Sequence, residues 1–409
     1  MTSETWVWIH LPGALGPTLC GVHRHDGRVG RFTYGRSYLA ASGAVPIDPV
    51  LLPLQEREYL IAHLGGWFSS LLDAGPDAWG RRIIDRSVGP QDQRGYLLHA
   101  RGQPVGAITF SDRRDTPPLL TATTQAPSLA ETLALHARVE AGEPLSADET
   151  GKLMGEAGTG GARPKLTLED RGTLWLVKGV SVKDKEDYAP VPVVEAALLR
   201  LASELDIDAP RTEVCRIAGN PVLMVERFDR RPVEGGYARW RYASAQTLLW
   251  SAPQVAQWSF QGSYTNLARR MAAWERSPAA DIRQLYRRIV FNALVGNLDD
   301  HEKNHGFVAD AQGNFHLSPV FDLNISATTA ERQELMMPFG SEGALISLPN
   351  LLSECTTFGY SRADADVLIQ SQWSLLRTKV LPLLIELGCD EARALRTTAL
   401  MPGHRMLGG

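Results

Sequence analysis

The segment Gly296-Asn297-Leu298-Asp299-Asp300-His301-Glu302-Lys303-Asn304-His305 sets three carboxylates, two carboxamides, two imidazoles and an ammonium directly after an apolar run. A polar burst of this kind, placed just past a helix, is typical of an active-site loop. Asp299 could orient a hydroxyl and accept its proton. Asn304 could offer an amide oxygen to a divalent cation, and Asp322, closing the run Phe315-His316-Leu317-Ser318-Pro319-Val320-Phe321-Asp322, a carboxylate to the same ion. Lys178 ends Leu174-Trp175-Leu176-Val177, where an ammonium could neutralise phosphates, and Glu195 follows as a candidate ion-pair partner. The chemistry open to such a set is metal-assisted phosphoryl transfer from a nucleoside triphosphate to a hydroxyl.

Spacing sharpens this reading. Asp299 stands five positions before Asn304, the interval between base and metal ligand in a protein-kinase catalytic loop. Asp300 is only four before it and fits less well. Upstream, the glycines of Gly155-Glu156-Ala157-Gly158-Thr159-Gly160-Gly161-Ala162-Arg163-Pro164-Lys165 match neither common phosphate-loop pattern. They still let backbone N–H groups approach phosphate oxygens, with Arg163 or Lys165 adding charge. Competing readings are structural. His301 and His305 lack a third ligand at zinc spacing, and Trp240, Trp250, Trp258 and Trp274 read as packing residues.

The elements that must carry these groups follow from periodicity. Strands are expected around Trp6-Val7-Trp8-Ile9, Gly30 to Gly35 and Gly106 to Phe110, with helical spacing from Gly66 to Arg86 broken at Gly75-Pro76. Residues 1–112 form a small α+β subdomain, and 113–127, with Pro117-Pro118, read as a linker. Residues 128–230 then hold helices opened by Ser128-x-x-Glu131 and by Ser146, strands at Lys165 to Leu168 and Thr173 to Val177, and a helix from Val193 to Glu204. Further strands fall at Thr212 to Ile217 and Val222 to Val225. Residues 231–409 are mainly helical, most clearly Asp281 to Val295, where Ile282, Leu285, Ile289, Ala293 and Leu294 share a side.

Composition bounds the rest. The chain has 409 residues, 44% hydrophobic and 22% charged, with Lys plus Arg 42 against Asp plus Glu 46, a net charge of −4. That sign argues against a dedicated nucleic-acid binder, and Arg287-Arg288 reads as the wet face of a helix. No apolar run is long enough to span a bilayer and the N-terminus lacks a secretory pattern, so a cytoplasmic protein is expected. Cys20, Cys215, Cys355 and Cys389 are scattered and read as reduced core residues.

Taken together, GGARPK, WLVKG, VERFDRR (Val225 to Arg231), the Asp-x-His-x-Lys-Asn pattern of Asp299, His301, Lys303 and Asn304, PVFD (Pro319 to Asp322) and LLDAGPDAWGRR (Leu71 to Arg82) resemble the HipA family of bacterial toxin kinases. The resemblance covers most of the chain. It implies a bilobal α+β, protein-kinase-like fold with a small N-terminal domain, a sheet-containing N-lobe and a helical C-lobe. It implies ATP and Mg²⁺ as cofactors, with Asp299 as base, Asn304 and Asp322 as Mg²⁺ ligands and Lys178 as the phosphate lysine. Gly160, Gly161, Ala162, Arg163 and Lys165 would cradle phosphates, Glu226 and Phe228 would hold adenine through the hinge backbone, and Asp229 would lie near the ribose. His301 and Lys303 would line the same pocket.

The same resemblance implies transfer to Ser or Thr of a protein of the translation machinery, an aminoacyl-tRNA synthetase first, with growth arrest as the result. It implies a HipB-like helix-turn-helix antitoxin as partner, through which alone the chain would meet DNA. Members can be silenced by phosphorylation of a glycine-loop serine, whereas here Gly158 stands there, a departure from the family pattern that leaves Thr159 beside it as the candidate substitute. A small-molecule or lipid kinase and a silent antitoxin-binding module remain the alternatives.

Overall fold

The computed structural model describes residues 3–100, 103–118, 124–125 as backbone, 129–155, 157–158, 161, 163–251 and 262–408. The chain opens with β1 (Ser3–His10), β2 (Pro17–His25), β3 (Gly30–Tyr34), β4 (Glu58–Ile61) and, later, β5 (Ile108–Ser111), an antiparallel sheet ordered β4-β3-β2-β1-β5. Alternation along β1 buries Val7 and Ile9 against Cys20, Phe32, Tyr34 and Trp67. Short helices α1 (Arg36–Leu39), α2 (Ser69–Leu72), α3 (Ala78–Val88) and α4 (Gln93–His99) fill the crossover from β3 to β5, the break between α2 and α3 falling at Gly75-Pro76.

Helix α3 reaches out of this first unit. Trp79, Ile83 and Ile84 pack with Leu135 and Val139 of α5 (Leu129–Glu140), Leu153 and Met154 of α6 (Ala147–Met154), and Ala157. A reciprocal capping box of Ser146 and Glu149 starts α6. Ser128 and part of the expected linker lie outside the described residues, but Thr124–Gln125 form β6, which pairs in parallel with the next sheet rather than running free.

That sheet, ordered β6-β7-β8-β10-β9, comprises β7 (Lys165–Asp170), β8 (Thr173–Lys178), β9 (Thr212–Ile217) and β10 (Asn220–Glu226). One face turns Leu166, Leu168, Trp175, Val177, Val222 and Met224 toward Leu129 of α5. The other sends Leu223 and Val225 into the main core beside Val193, Val194, Leu198 and Leu201 of α7 (Val191–Glu204). A hairpin, β11 (Arg230–Val233) and β12 (Gly236–Arg239), leads into a three-stranded sheet of β13 (Tyr242–Ser244), β14 (Gly306–Ala309) and β15 (Phe315–Leu317).

The rest is helical: α8 (Ala245–Trp250), α9 (Tyr264–Trp274), α10 (Ala279–Val295), α11 (Leu348–Ser353), α12 (Arg362–Glu386), α13 (Glu391–Thr398) and α14 (Gly403–Leu407). Leu285, Ile289, Ala293 and Leu294 of α10 are buried, as their spacing predicts. Arg288 departs from expectation. It is 1% exposed and donates to the carbonyl of Ser318 at 2.5 Å, so it braces the approach to Asp322 instead of facing water. Trp274 is buried, while Trp258 lies outside the described residues.

Three buried histidines give the fold a pH signature. Burial lowers His10 and His23 to about 4 and His136 to about 3, well under an ordinary imidazole. Each is neutral in the fold and gains a proton on unfolding, so its contribution is complete above the unfolded value near 6.5 and is lost as pH falls through the folded one. Denaturation midpoints should therefore drop steadily as the pH is lowered from about 6.5 to about 4, and His136→Leu should flatten the drop. A midpoint indifferent to pH across that window would count against this account.

Candidate active site

Helix α10 stops at Gly296, whose left-handed backbone (φ 77°) caps it and turns the chain into the polar loop. Beneath the loop, Asp300 is a buried hub. Its carboxylate accepts from Tyr264 Oη and from Asn292 Nδ2 at 2.5 Å and lies 3.1 Å from His305 Nε2. With Asp300 and His305 turned into the core, Asp299 stands exposed on the cleft side. The Asn304 amide donates to the Asp299 carbonyl at 3.0 Å and His301 N–H to the same oxygen at 3.0 Å, folding the loop back on itself.

Across the cleft, Lys178 Nζ lies 2.7 and 2.9 Å from the two oxygens of Glu195 and 3.1 Å from Asp322 Oδ1. The Asp322 N–H donates to Glu195 at 3.1 Å, and Asp322 itself holds a left-handed φ of 60°. Such a conformation is rare for a residue with a Cβ and recurs at functional sites. Glu195 thus binds the side chain of β8 and the backbone after β15 together. The Lys178 ammonium holds the Asp322 carboxyl well below the usual range, outweighing burial. Burial alone would lower Lys178, but Glu195 and Asp322 keep it above an ordinary lysine.

The β7–β8 register places Lys165 directly opposite Lys178. Like charges facing across a strand pair are unfavourable, and burial together with that neighbour lowers the Lys165 pKa. Two buried ammoniums beside two carboxylates make a charge lattice with room for a polyanion. The cavity between the lobes has a volume of about 480 Å³, and Lys165, Lys178, Glu195, Asp299, Asn304 and Asp322 all border it.

Other expected residues fall as follows. Arg163, His301, Lys303, Glu226, Phe228 and Gly161 line the same cavity, while Gly160, Ala162 and Thr159 lie outside the described residues. Arg163 is paired with Asp184, and the Glu226 side chain with Arg211 at 2.9 Å. Phe228 packs on Phe321 at 5.7 Å between ring centroids. Asp229 needs correction. It borders the cavity, yet its oxygens are taken by Arg227 (2.9 and 2.8 Å), Arg230 (2.6 Å) and the Gly106 N–H (2.8 Å), so the carboxylate is committed to structure rather than held ready for a ribose.

Sequence reasoning missed one wall altogether. Asp73, Asp77, Gln103 and Val105 of the N-terminal unit border the cavity. Asp73 accepts from the Ser244 N–H and Oγ and from Thr247, each at 2.7 Å. Nothing local marks these residues; only the Leu71 to Arg82 string carried a hint.

A sheet lobe over a helical lobe, with a lysine–glutamate pair above and an Asp-to-Asn loop below, is the kinase-like class of fold. Residues 157–377 match the HipA-like C-terminal domain, and the chain belongs to that HipA family. It is 27% identical over 311 residues to a Sinorhizobium fredii protein that bears the name of a kinase, covering 71% of each chain. It is 27% identical over 202 residues to the serine/threonine-protein kinase toxin HipA of Shewanella oneidensis, 44% of this chain and 46% of that one. The solved complex of Shewanella oneidensis HipA, HipB and operator DNA contains a chain that superposes with a TM-score of 0.67 at 20% identity, covering 98% and 97%. Among the described residues no helix is long and apolar enough to cross a membrane.

The Asp229 cluster joins the end of the hinge to the N-terminal unit, since Arg227 also donates to the Gln103 carbonyl at 2.8 Å. Burial would raise the Asp229 carboxyl, but the two guanidiniums hold it far below the usual range. Removing one member of such a buried set strands the opposite charges. Asp229→Ala should cost about 3–5 kcal/mol in chemical denaturation, and a loss under about 1 kcal/mol would show the cluster to be solvated.

Proposed function

We propose that this chain is an ATP- and Mg²⁺-dependent Ser/Thr protein kinase toxin, and the observation that carries the reading is the Lys178–Glu195–Asp322 triad bordering one cavity with Asp299 and Asn304. Asp299, exposed and close to the loop backbone, orients the acceptor hydroxyl and receives its proton. Lys178 and Lys165 bind the triphosphate oxygens. The Asn304 amide oxygen and the Asp322 carboxylate are the hard donors Mg²⁺ takes, and the bound ion would neutralise charge on the phosphates. The backbone at Glu226 and Phe228 holds the adenine, with Gly160, Gly161, Ala162, Arg163, His301 and Lys303 around the phosphates. An intact acid–amide–acid set favours this reading over a silent binding module.

By analogy with the solved Shewanella oneidensis assembly, a HipB-like helix-turn-helix protein neutralises the enzyme and supplies the DNA contact that a net charge of −4 disfavours. The acceptor is a protein of the translation machinery in the cytoplasm, an aminoacyl-tRNA synthetase in the first instance, and its phosphorylation arrests growth. Within this reading, residues 1–112 are a subdomain, 128–230 the N-lobe and 231–409 the catalytic lobe.

Labelled γ-phosphate should pass from ATP into a protein band of a bacterial extract, and Asp299→Asn should slow that transfer by about 10²–10⁴-fold. Nucleotide affinity by calorimetry should stay within a few-fold of wild type, because the base does not grip the nucleotide. Equal transfer by both proteins, or equal growth arrest on expression, would remove Asp299 from the mechanism.

A further inference from the structure

Asp77 occupies the position before α3, with extended backbone (φ −83°, ψ −170°), where an aspartate ordinarily accepts from the first turn of its own helix. It makes no such bond. Its carboxylate is turned away across the cleft instead. One oxygen accepts the Gly161 N–H at 2.8 Å, and the other binds the Lys303 ammonium at 2.6 Å.

The same short stretch holds the glycine segment twice more. The Trp79 N–H donates to the Gly161 carbonyl at 3.1 Å, so both peptide groups flanking that residue are fixed from α3. Gly80 lies so close that a Cβ there would stand 2.1 Å from the Ala157 carbonyl oxygen, which only glycine permits. Burial would raise the Asp77 carboxyl, but Lys303 and the Gly161 N–H hold it below the usual range, so it is anionic.

Lys303 is the residue before Asn304 and four beyond Asp299. An ammonium released from Asp77 has Asp299 and Asp322 within the same cavity to neutralise, and either encounter disarms a group the reaction needs. We propose, resting on the kinase reading above, that Asp77 is a positioning residue for phosphoryl transfer: by holding Gly161 and Lys303 at once it sets the catalytic loop against the glycine segment and aims the Lys303 ammonium at the transferring phosphate. The N-terminal unit is thereby a working wall of the catalytic cleft.

The test is a double-mutant cycle on the full chain, following ADP release from Mg²⁺·ATP with dephosphorylated casein as acceptor. Asp77→Asn, close to isosteric, should lower kcat by about 10–100-fold with KM for ATP within about threefold and an unchanged melting temperature. In a Lys303→Gln background the same substitution should cost clearly less, because the contact the two residues share is already gone and only the hold on Gly161 remains. If the Asn variant is unstable, Asp77→Ser supplies a helix cap without reaching Lys303 and should lower kcat likewise. Fully additive losses, a loss confined to KM, or wild-type kcat in Asp77→Asn would overturn the positioning role. A wild-type protein that neither releases ADP with casein nor labels a protein band of a bacterial extract overturns the kinase reading, and this inference falls with it.

Discussion

The cleft depends on one ion triad, in which the buried Lys178–Glu195 pair reaches out to Asp322 at the cavity. Lys178 from β8, Glu195 from α7 and Asp322 from beyond β15 come from three distant stretches of sequence, and each supplies what the others cannot do alone in low dielectric. A lone buried ammonium would be costly, as would a lone buried carboxylate. Glu195 further ties the two lobes by accepting the Asp322 N–H, which holds that residue in its left-handed conformation. Sheet lobe, α7 and the helical lobe therefore share one electrostatic keystone as well as one core.

The hub under the polar loop works by division of labour between neighbours. Asp300 commits its carboxylate to contacts with Tyr264, Asn292 and His305, and adjacency then leaves Asp299 on the opposite side, facing the cleft. His305 is likewise spent on Asp300 and Tyr264, so the two histidines of the loop belong to different environments and do not form a pair.

Much of this was readable in advance because it is local. Five-residue spacing from Asp299 to Asn304, an apolar period running into Gly296, and a lysine at a strand end all follow from short stretches, and the structure gathers these residues around one cavity. What stayed hidden is non-local. Arg288 looks like a surface residue in a helix pattern, yet a partner thirty positions away, the Ser318 carbonyl, draws it inside. Asp229 sits in a hinge string where a ligand role is natural, but the Gly106 N–H and two arginines claim it. Asp77 enters the cleft because α3 packs against α5 and α6, and Asp73 because the end of α2 meets Ser244 and Thr247, contacts between distant segments that no periodicity announces.

The facing lysines of β7 and β8 carry a thermodynamic corollary. Burial and the facing Lys178 disfavour the Lys165 ammonium, a cost that a polyphosphate bound in the cavity would offset. A ligand that binds the native state alone shifts the folding equilibrium by mass action. The folded population should therefore grow more resistant to unfolding as a polyphosphate fills the cavity, and lose that protection when it is withdrawn.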